Sequence, residues 1–563
     1  MIFLLITAGA LLALVLLAIV LLPVVIDEQA IVELAQEQVR AKTSGELRVN
    51  GEPELSIFPN LVLVLSDTTF DLPLEETDGQ RLVADIGHVD INLSLLGLLQ
   101  GDNAIGTILL SAIKARVLDA SDAVQASVHL KELRAEGLNV ADQPMRLYTI
   151  IRVPSSSDPS GETADANALE LTLDGQVRTP SDLSRVDIDS LSVTVTGVLT
   201  EPVNAQLQGR YLMTPPAFDG ALQLITPGGE VQGNVAYISN DSPKMDIRLK
   251  SQRLDLDQLT VITDEGQPAQ DVPPNAPPVP LPVGPLKTLD LRLIAQVTEL
   301  VTAGQRIEDA NLELRVVDGI AKLQPLTGTL HDGQLDTQIT INAQKPVVDI
   351  ELTGSLAGVE LDSLLASFEQ PNTAKGNVNI SWDIKTEGTL VADLTDGLDG
   401  DIQLKGEDVE VTAVSLQALV CEAVALVNQD TLRNTMPATT EVSALAMTIE
   451  FEAGEAILKD TTIATDGVSL VGNGRANLSN NNFRARFDAK LDNRLQALDN
   501  ACRVNDRYTA LDWPILCEGN LAEDPAKSCA IDSKAIAQQL LKNEAESTLK
   551  KEAGKLLNKL FGN

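Results

Sequence analysis

Leu191-Ser192-Val193-Thr194-Val195-Thr196 alternates apolar and polar side chains at every step, and Val203-Asn204-Ala205-Gln206-Leu207-Gln208 resumes the alternation seven residues later. A period of two belongs to a β-strand with one apolar and one wet face. The pattern recurs where Leu312, Leu314 and Val316 bracket Glu313 and Arg315, and where Ile339 and Ile341 flank Thr340. Between such runs lie the pairs Asp174-Gly175, Asp219-Gly220, Gly228-Gly229, Asp318-Gly319, Asp332-Gly333 and Asp466-Gly467, which read as turns. Together they predict a mainly β chain: an elongated antiparallel meander or β-groove with short helices.

A sheet with one aliphatic face must cover it with a second sheet, a helix or a ligand. Alternation alone fits a packed sandwich and an open trough equally well. If the trough is open, its candidate lipid-facing residues are Leu191, Val193, Val195, Val203 and Leu207.

Composition narrows the function classes. The 563 residues are 44% hydrophobic but only 3% aromatic, so the core is aliphatic. The net charge of −38 repels phosphate, which speaks against nucleic acid as a partner. With only His88, His129 and His331, there is little material for acid–base work or a zinc site. No GxSxG, HExxH or Walker A pattern occurs. Gly472-Asn473-Gly474 sits in an alternating run with no helix after it and reads as a bulge or turn. His331 is expected to be solvated beside Asp332-Gly333, and Asp255 and Asp257 to lie on the wet face of a turn. No catalytic residue, metal site or cofactor is expected, and the chain is read as a non-enzyme.

Residues 1–26 contain no charged side chain. A helix of about 25 residues rises about 37 Å, enough to cross a hydrocarbon core of about 30 Å. A cleaved signal peptide is the competing reading, but Leu22-Pro23-Val24-Val25-Ile26-Asp27 offers no small-x-small cleavage site. Residues 27–42 follow with Ile31, Leu34, Ala35 and Val39 at helical spacing. Cys421, Cys502, Cys517 and Cys529 form an even set with no close CxxC pair and are disulfide candidates in an exported chain. Three pairings are open; a Cys502–Cys517 loop of about 15 residues would contribute about 3 kcal/mol.

Seven prolines from Pro273 to Pro285 mark a linker, or a long loop within one sheet. Strand-to-helix steps at Leu254-Asp255-Leu256-Asp257, Glu360-Leu361-Asp362 and Val414-Ser415-Leu416 suggest internal repetition. The C-terminal stretch places Ile536, Leu540, Leu541, Leu549 and Leu556 largely on one helical face among lysines. Such a helix either caps the β structure or lies on an anionic membrane. The expected segments are an anchor at 1–26, a β region at 27–263, a proline-rich linker at 264–286, a second β region at 287–530 and a helical tail at 531–563.

The sequence resembles the AsmA family of Gram-negative envelope proteins in two places. The uncharged anchor and short helix lead into Ser44-Gly45-Glu46-Leu47-Arg48-Val49-Asn50-Gly51 and Ser56-Ile57-Phe58-Pro59, similar to the family's N-terminal signature. Leu416-Gln417-Ala418-Leu419-Val420-Cys421, Leu426-Val427-Asn428 and Asp466-Gly467-Val468-Ser469-Leu470 resemble its C-terminal domain. The resemblance implies a single-pass bacterial inner-membrane protein with the bulk of its chain in the periplasm. It also implies a β-groove that handles phospholipid or another acyl ligand. The alternative it offers is assembly of outer-membrane proteins through an exposed strand edge. It carries no catalytic residue to this chain.

Overall fold

The computed structural model describes five positions between residues 32 and 40 and most of 45–543. Outside the described residues lie the rest of 1–44, then 57–60, 75–79, 94–104, 138–141, 154–168, 240–243, 260–279, 368–372, 521–527 and 544–563. Positions 181, 183, 282 and 413–414 also lie outside them. The expected anchor at 1–26 and the end of the tail therefore fall beyond what can be described.

The chain divides into two compact units, Met1–Pro274 and Asn275–Asn563. The first contains β1 (Glu46–Val49), β2 (Glu54–Ser56), β3 (Leu61–Pro73), β4 (Arg81–Leu93), β5 (Ile105–Leu118), β6 (Val124–Glu136) and β7 (Met145–Val153). It continues with β8 (Leu169–Arg178), β9 (Arg185–Thr196), β10 (Val203–Met213), β11 (Pro216–Thr226), β12 (Gly229–Ile238) and β13 (Lys244–Asp255). From β3 onward each strand pairs antiparallel with the next, while β1 and β2 both pair with β3. The second unit is also a meander, from β14 (Asp290–Thr302) through β15 (Gln305–Val317), β16 (Ile320–Leu330), β17 (Gly333–Asn342) and β18 (Val348–Glu360). Later strands include Asn377–Gly388, Asp399–Gly406, Thr440–Glu452, Glu455–Thr465, Val468–Asn477, Asn482–Leu491 and Trp513–Asn520, again paired antiparallel.

Alternation decides the wet faces as well. Cross-strand pairs such as Lys131–Glu170 at 2.6 Å, Arg146–Asp174 at 3.3 Å and Arg292–Glu313 at 3.0 Å lie on the polar side. Partly exposed pairs of this kind contribute little individually and chiefly keep the outer surface wet.

Two of the six turn pairs are not turns. Asp174-Gly175 lies inside β8 and Asp219-Gly220 inside β11. A Cβ on Gly175 would come within 2.5 Å of the Ser190 carbonyl oxygen, and one on Gly220 within 2.3 Å of that of Gln208. Close approach of neighbouring strands, not turn geometry, requires glycine at these positions. Gly472-Asn473-Gly474 lies within the strand Val468–Asn477, where a side chain on Gly472 would meet the Phe487 ring.

Among the described residues each unit has a buried hydrophobic cluster. In the first, Leu63, Ile86, Ile108, Leu110, Ile113 and Val128 are all at most 2% exposed, and Val32 of the N-terminal helical stretch packs against this cluster. In the second, helix α1 (Leu416–Val427) places Val420, Cys421 and Val424 in a core with Trp513, Leu495 and Ile536. The Ser415 hydroxyl caps α1 by accepting from the Ala418 N–H. Residues 533–543 form a helix that buries Ile536 in this core and packs Leu540 against it, while Leu541 faces outward at 68% exposure. For these residues the capping role holds.

Disulfides join Cys421 to Cys502 and Cys517 to Cys529. The Cys502–Cys517 closure weighed from sequence is not formed. Cys421 comes from α1, and the core brings it to Cys502, 81 residues away in sequence. Cys517 and Cys529 instead face each other across a two-strand ladder. Asp499, buried at 2% exposure, accepts backbone N–H bonds from Ala501, Asn434 and Arg433. These bonds, that from Ala501 foremost, hold its carboxyl below the usual carboxylate range.

The suggested repeats coincide with a recurrent step. β13 runs into a short helix at Leu256–Gln258, β18 into one at Leu361–Ser367, and the strand Val409–Val411 is followed by α1. Asp255 is buried and paired with Arg253 at 3.3 Å, against the expectation of a wet turn.

Candidate functional site

The expected lipid-facing residues share one face. Across the β9–β10 ladder Val195 stands opposite Val203, Val193 opposite Ala205, and Leu191 opposite Leu207. β8 extends these rows with Leu171, Leu173 and Gly175. On the other side Leu207 faces Leu222 and Ala205 faces Leu224, and Leu224 in turn faces Val231. Leu191, Val193, Val195, Val203 and Leu207 are all half-buried. Thr194 lies on the opposite face, where its hydroxyl donates to Asn204 Oδ1 at 2.8 Å.

Half-burial is the rule on this face. Of the inward positions named in β9–β12, only Val231 is fully buried, at 5% exposure. Among the described residues the closest backbone neighbours of β9–β13 are their ladder partners, and Val186 and Ile188 of β9 also pack against the first unit's buried cluster. Aliphatic surface left in water costs about 25 cal/mol per Å². A contiguous patch of this kind is the surface on which a ligand or partner is expected.

The second unit repeats the feature. Leu293, Leu314, Leu323, Ile339, Leu352 and Ile384 are neighbours in one row across six strands, all half-buried.

A further row escapes a reading by alternation alone. Tyr211 faces Phe218, Phe218 faces Tyr237 and Tyr237 faces Met245, on the inner face of four adjacent strands. The directly opposed Gly209 and Gly220 separate this row from Leu207 and Leu222. The available signal was parity, since Tyr211 continues the period of Val203, Ala205 and Leu207. Asp219-Gly220 has turn composition, yet Phe218 and Leu222 on either side of it keep one parity within β11.

His331 is half-buried and hydrogen-bonded within the protein, not a freely solvated turn residue. It turns the chain between β16 and β17 with φ +48°, and its Nδ1 lies 2.8 Å from Ser363 Oγ and its Nε2 2.7 Å from Gln305 Oε1. Burial lowers its pKa, opposed by nearby Asp332 and Glu360. Among the described residues no cluster of three or more His, Cys, Asp or Glu side chains is placed to hold a metal ion. No described helix is long and apolar enough to cross a membrane.

A half-buried aliphatic face on a long antiparallel meander, beside buried cores, defines a mainly β protein without a catalytic cluster among the described residues. The sequence profile of the AsmA family matches residues 2–178 and 218–461, and the chain belongs to that family. Protein AsmA of Escherichia coli (strain K12) is 19% identical over 516 residues, which cover 81% of this chain and 82% of the relative. No solved structure matches the chain. Membership supports an envelope-related function.

Proposed function

We propose that this protein is an envelope biogenesis factor that handles phospholipid between the inner and outer membranes by shielding acyl chains on its aliphatic β-face. Residues 1–26 would hold it in the inner membrane as a single-pass anchor, with the rest of the chain in the periplasm. The observation that carries the reading is the half-buried face of β9–β13, where aliphatic rows continue from strand to strand. An acyl chain supplies the missing apolar layer without demanding hydrogen bonds. The role requires neither a nucleophile nor a metal, so the reading is of a non-enzyme.

Photo-crosslinking in cells from Val193 and from Thr194 tests this. Phospholipid captured at Val193 and not at Thr194 is the expected result. Outer-membrane protein adducts at Val193, or no adduct at either position, would replace lipid shielding with an assembly or purely structural role.

A further inference from the structure

We infer that the aromatic row Tyr211–Phe218–Tyr237 is the headgroup end of a phospholipid site on the first unit, with the acyl chain running from it along the strands. This deepens the lipid-shielding proposal and rests on it.

Aromatic residues are scarce here, at 3% of the chain, yet three stand side by side on adjacent strands. Two of them are among only four tyrosines. The row lies at one end of the strands, with Tyr211 and Phe218 each three residues from the Thr214-Pro215 turn between β10 and β11. Tyrosine has an apolar body and a polar tip, and it suits the boundary where an apolar ligand meets water. Neither hydroxyl has a hydrogen-bond partner among the described residues.

The opposite end of the same strands is built differently. There Val231 and Ser251 are buried, the Asp255 N–H donates to the Gly228 carbonyl, and the short helix Leu256–Gln258 follows. The trough is thus tied down at that end and faced with tyrosine at the other.

Dimensions agree with one acyl chain laid along the strands. Half of a hydrocarbon core of about 30 Å is about 15 Å per leaflet. At about 3.4 Å per strand residue, that length spans four to five residues. Measured from Tyr211, it crosses the bare Gly209–Gly220 floor and reaches the Leu207–Leu222 pair. The residues next to the row in sequence, among them Arg210, Asp219, Lys244 and Asp246, alternate to the opposite, wet face of the sheet. Arg185 and Arg210 share the Asp187 carboxylate at 2.9 and 2.6 Å.

The test reconstitutes the full chain in phosphatidylethanolamine vesicles doped with a phospholipid carrying a diazirine on its headgroup or at the end of its acyl chain, and maps the labelled residues. The headgroup probe is expected at the Tyr211 and Tyr237 ends of the strands. The acyl-end probe is expected beyond Gly209 and Gly220, on Leu207, Leu222 and the rows past them. Replacing both tyrosines (Tyr211→Phe with Tyr237→Phe) keeps the rings, and should cut headgroup labelling about five-fold while acyl labelling stays. Headgroup label spread evenly, placed at the Thr226–Gly229 end, or unchanged in the phenylalanine variant would overturn the assignment while lipid shielding stands. No acyl label on β9–β13 would overturn both.

Discussion

Ile113 in β5 and Val193 in β9 occupy the same kind of position, an aliphatic residue on the inner face of a long antiparallel strand. Ile113 is 1% exposed, whereas Val193 is half-buried. The difference lies in the side chains that share the inner face. Around β5 the inner positions are Leu63, Ile86, Ile108, Leu110 and Val128, large side chains that join Ile113 in one buried cluster. In β8–β12 Gly175, Ala205, Gly209, Gly220 and Gly233 take their place on that face. Without those side chains the sheet has a floor and no filling. One repeating pattern thus builds a core where side-chain volume suffices and an open face where glycine interrupts it.

The sealed ends should respond to damage and the open face should not. The largest effect is expected in the second unit's core. Replacing both members of the Cys421–Cys502 bridge by serine should cost about 4.5 kcal/mol in the chain-entropy model, against about 3 kcal/mol for the short Cys517–Cys529 loop. Denaturant unfolding under non-reducing conditions measures both, and the opposite ranking would show that loop closure does not set the stability of this end. Next, Ile113→Ala should destabilise by about 3 kcal/mol, and Val193→Ala by about 1 kcal/mol or less. Equal losses in unfolding curves would mean that the two faces are equally packed.

A smaller effect concerns acid. Asp499 has a folded pKa below its unfolded value of about 3.9. Its contribution is therefore complete above that value and is lost as pH falls through the folded pKa. Between pH 7 and pH 3 the Asp499→Asn variant should lose less stability than wild type, because its acid-sensitive carboxylate is gone. Parallel pH profiles would remove Asp499 from the account.

Much of this was legible in residue order. The meander, the shared face of Leu191, Val193, Val195, Val203 and Leu207, and the turns at Gly228, Asp318, Asp332 and Asp466 follow from local pattern. What local pattern lacked was tertiary context. Asp174-Gly175 and Asp219-Gly220 have turn composition, but their glycines answer to the neighbouring strand. His331 has the sequence of a solvated turn, and its partners Gln305 and Ser363 come from elements 26 and 32 residues away. The cysteine pairing followed from the packing of α1. Whether the aliphatic face is covered depends on volume summed over many strands, which no single run of residues reveals.

The central claim is that the open face carries acyl chains. It is tested most directly by native mass spectrometry of the full chain purified in detergent, comparing wild type with the Val193→Asp, Leu207→Asp double variant. The account predicts phospholipid bound to the wild type and absent from a variant with an unchanged unfolding curve. Equal lipid on both proteins, or none on the wild type, would contradict it.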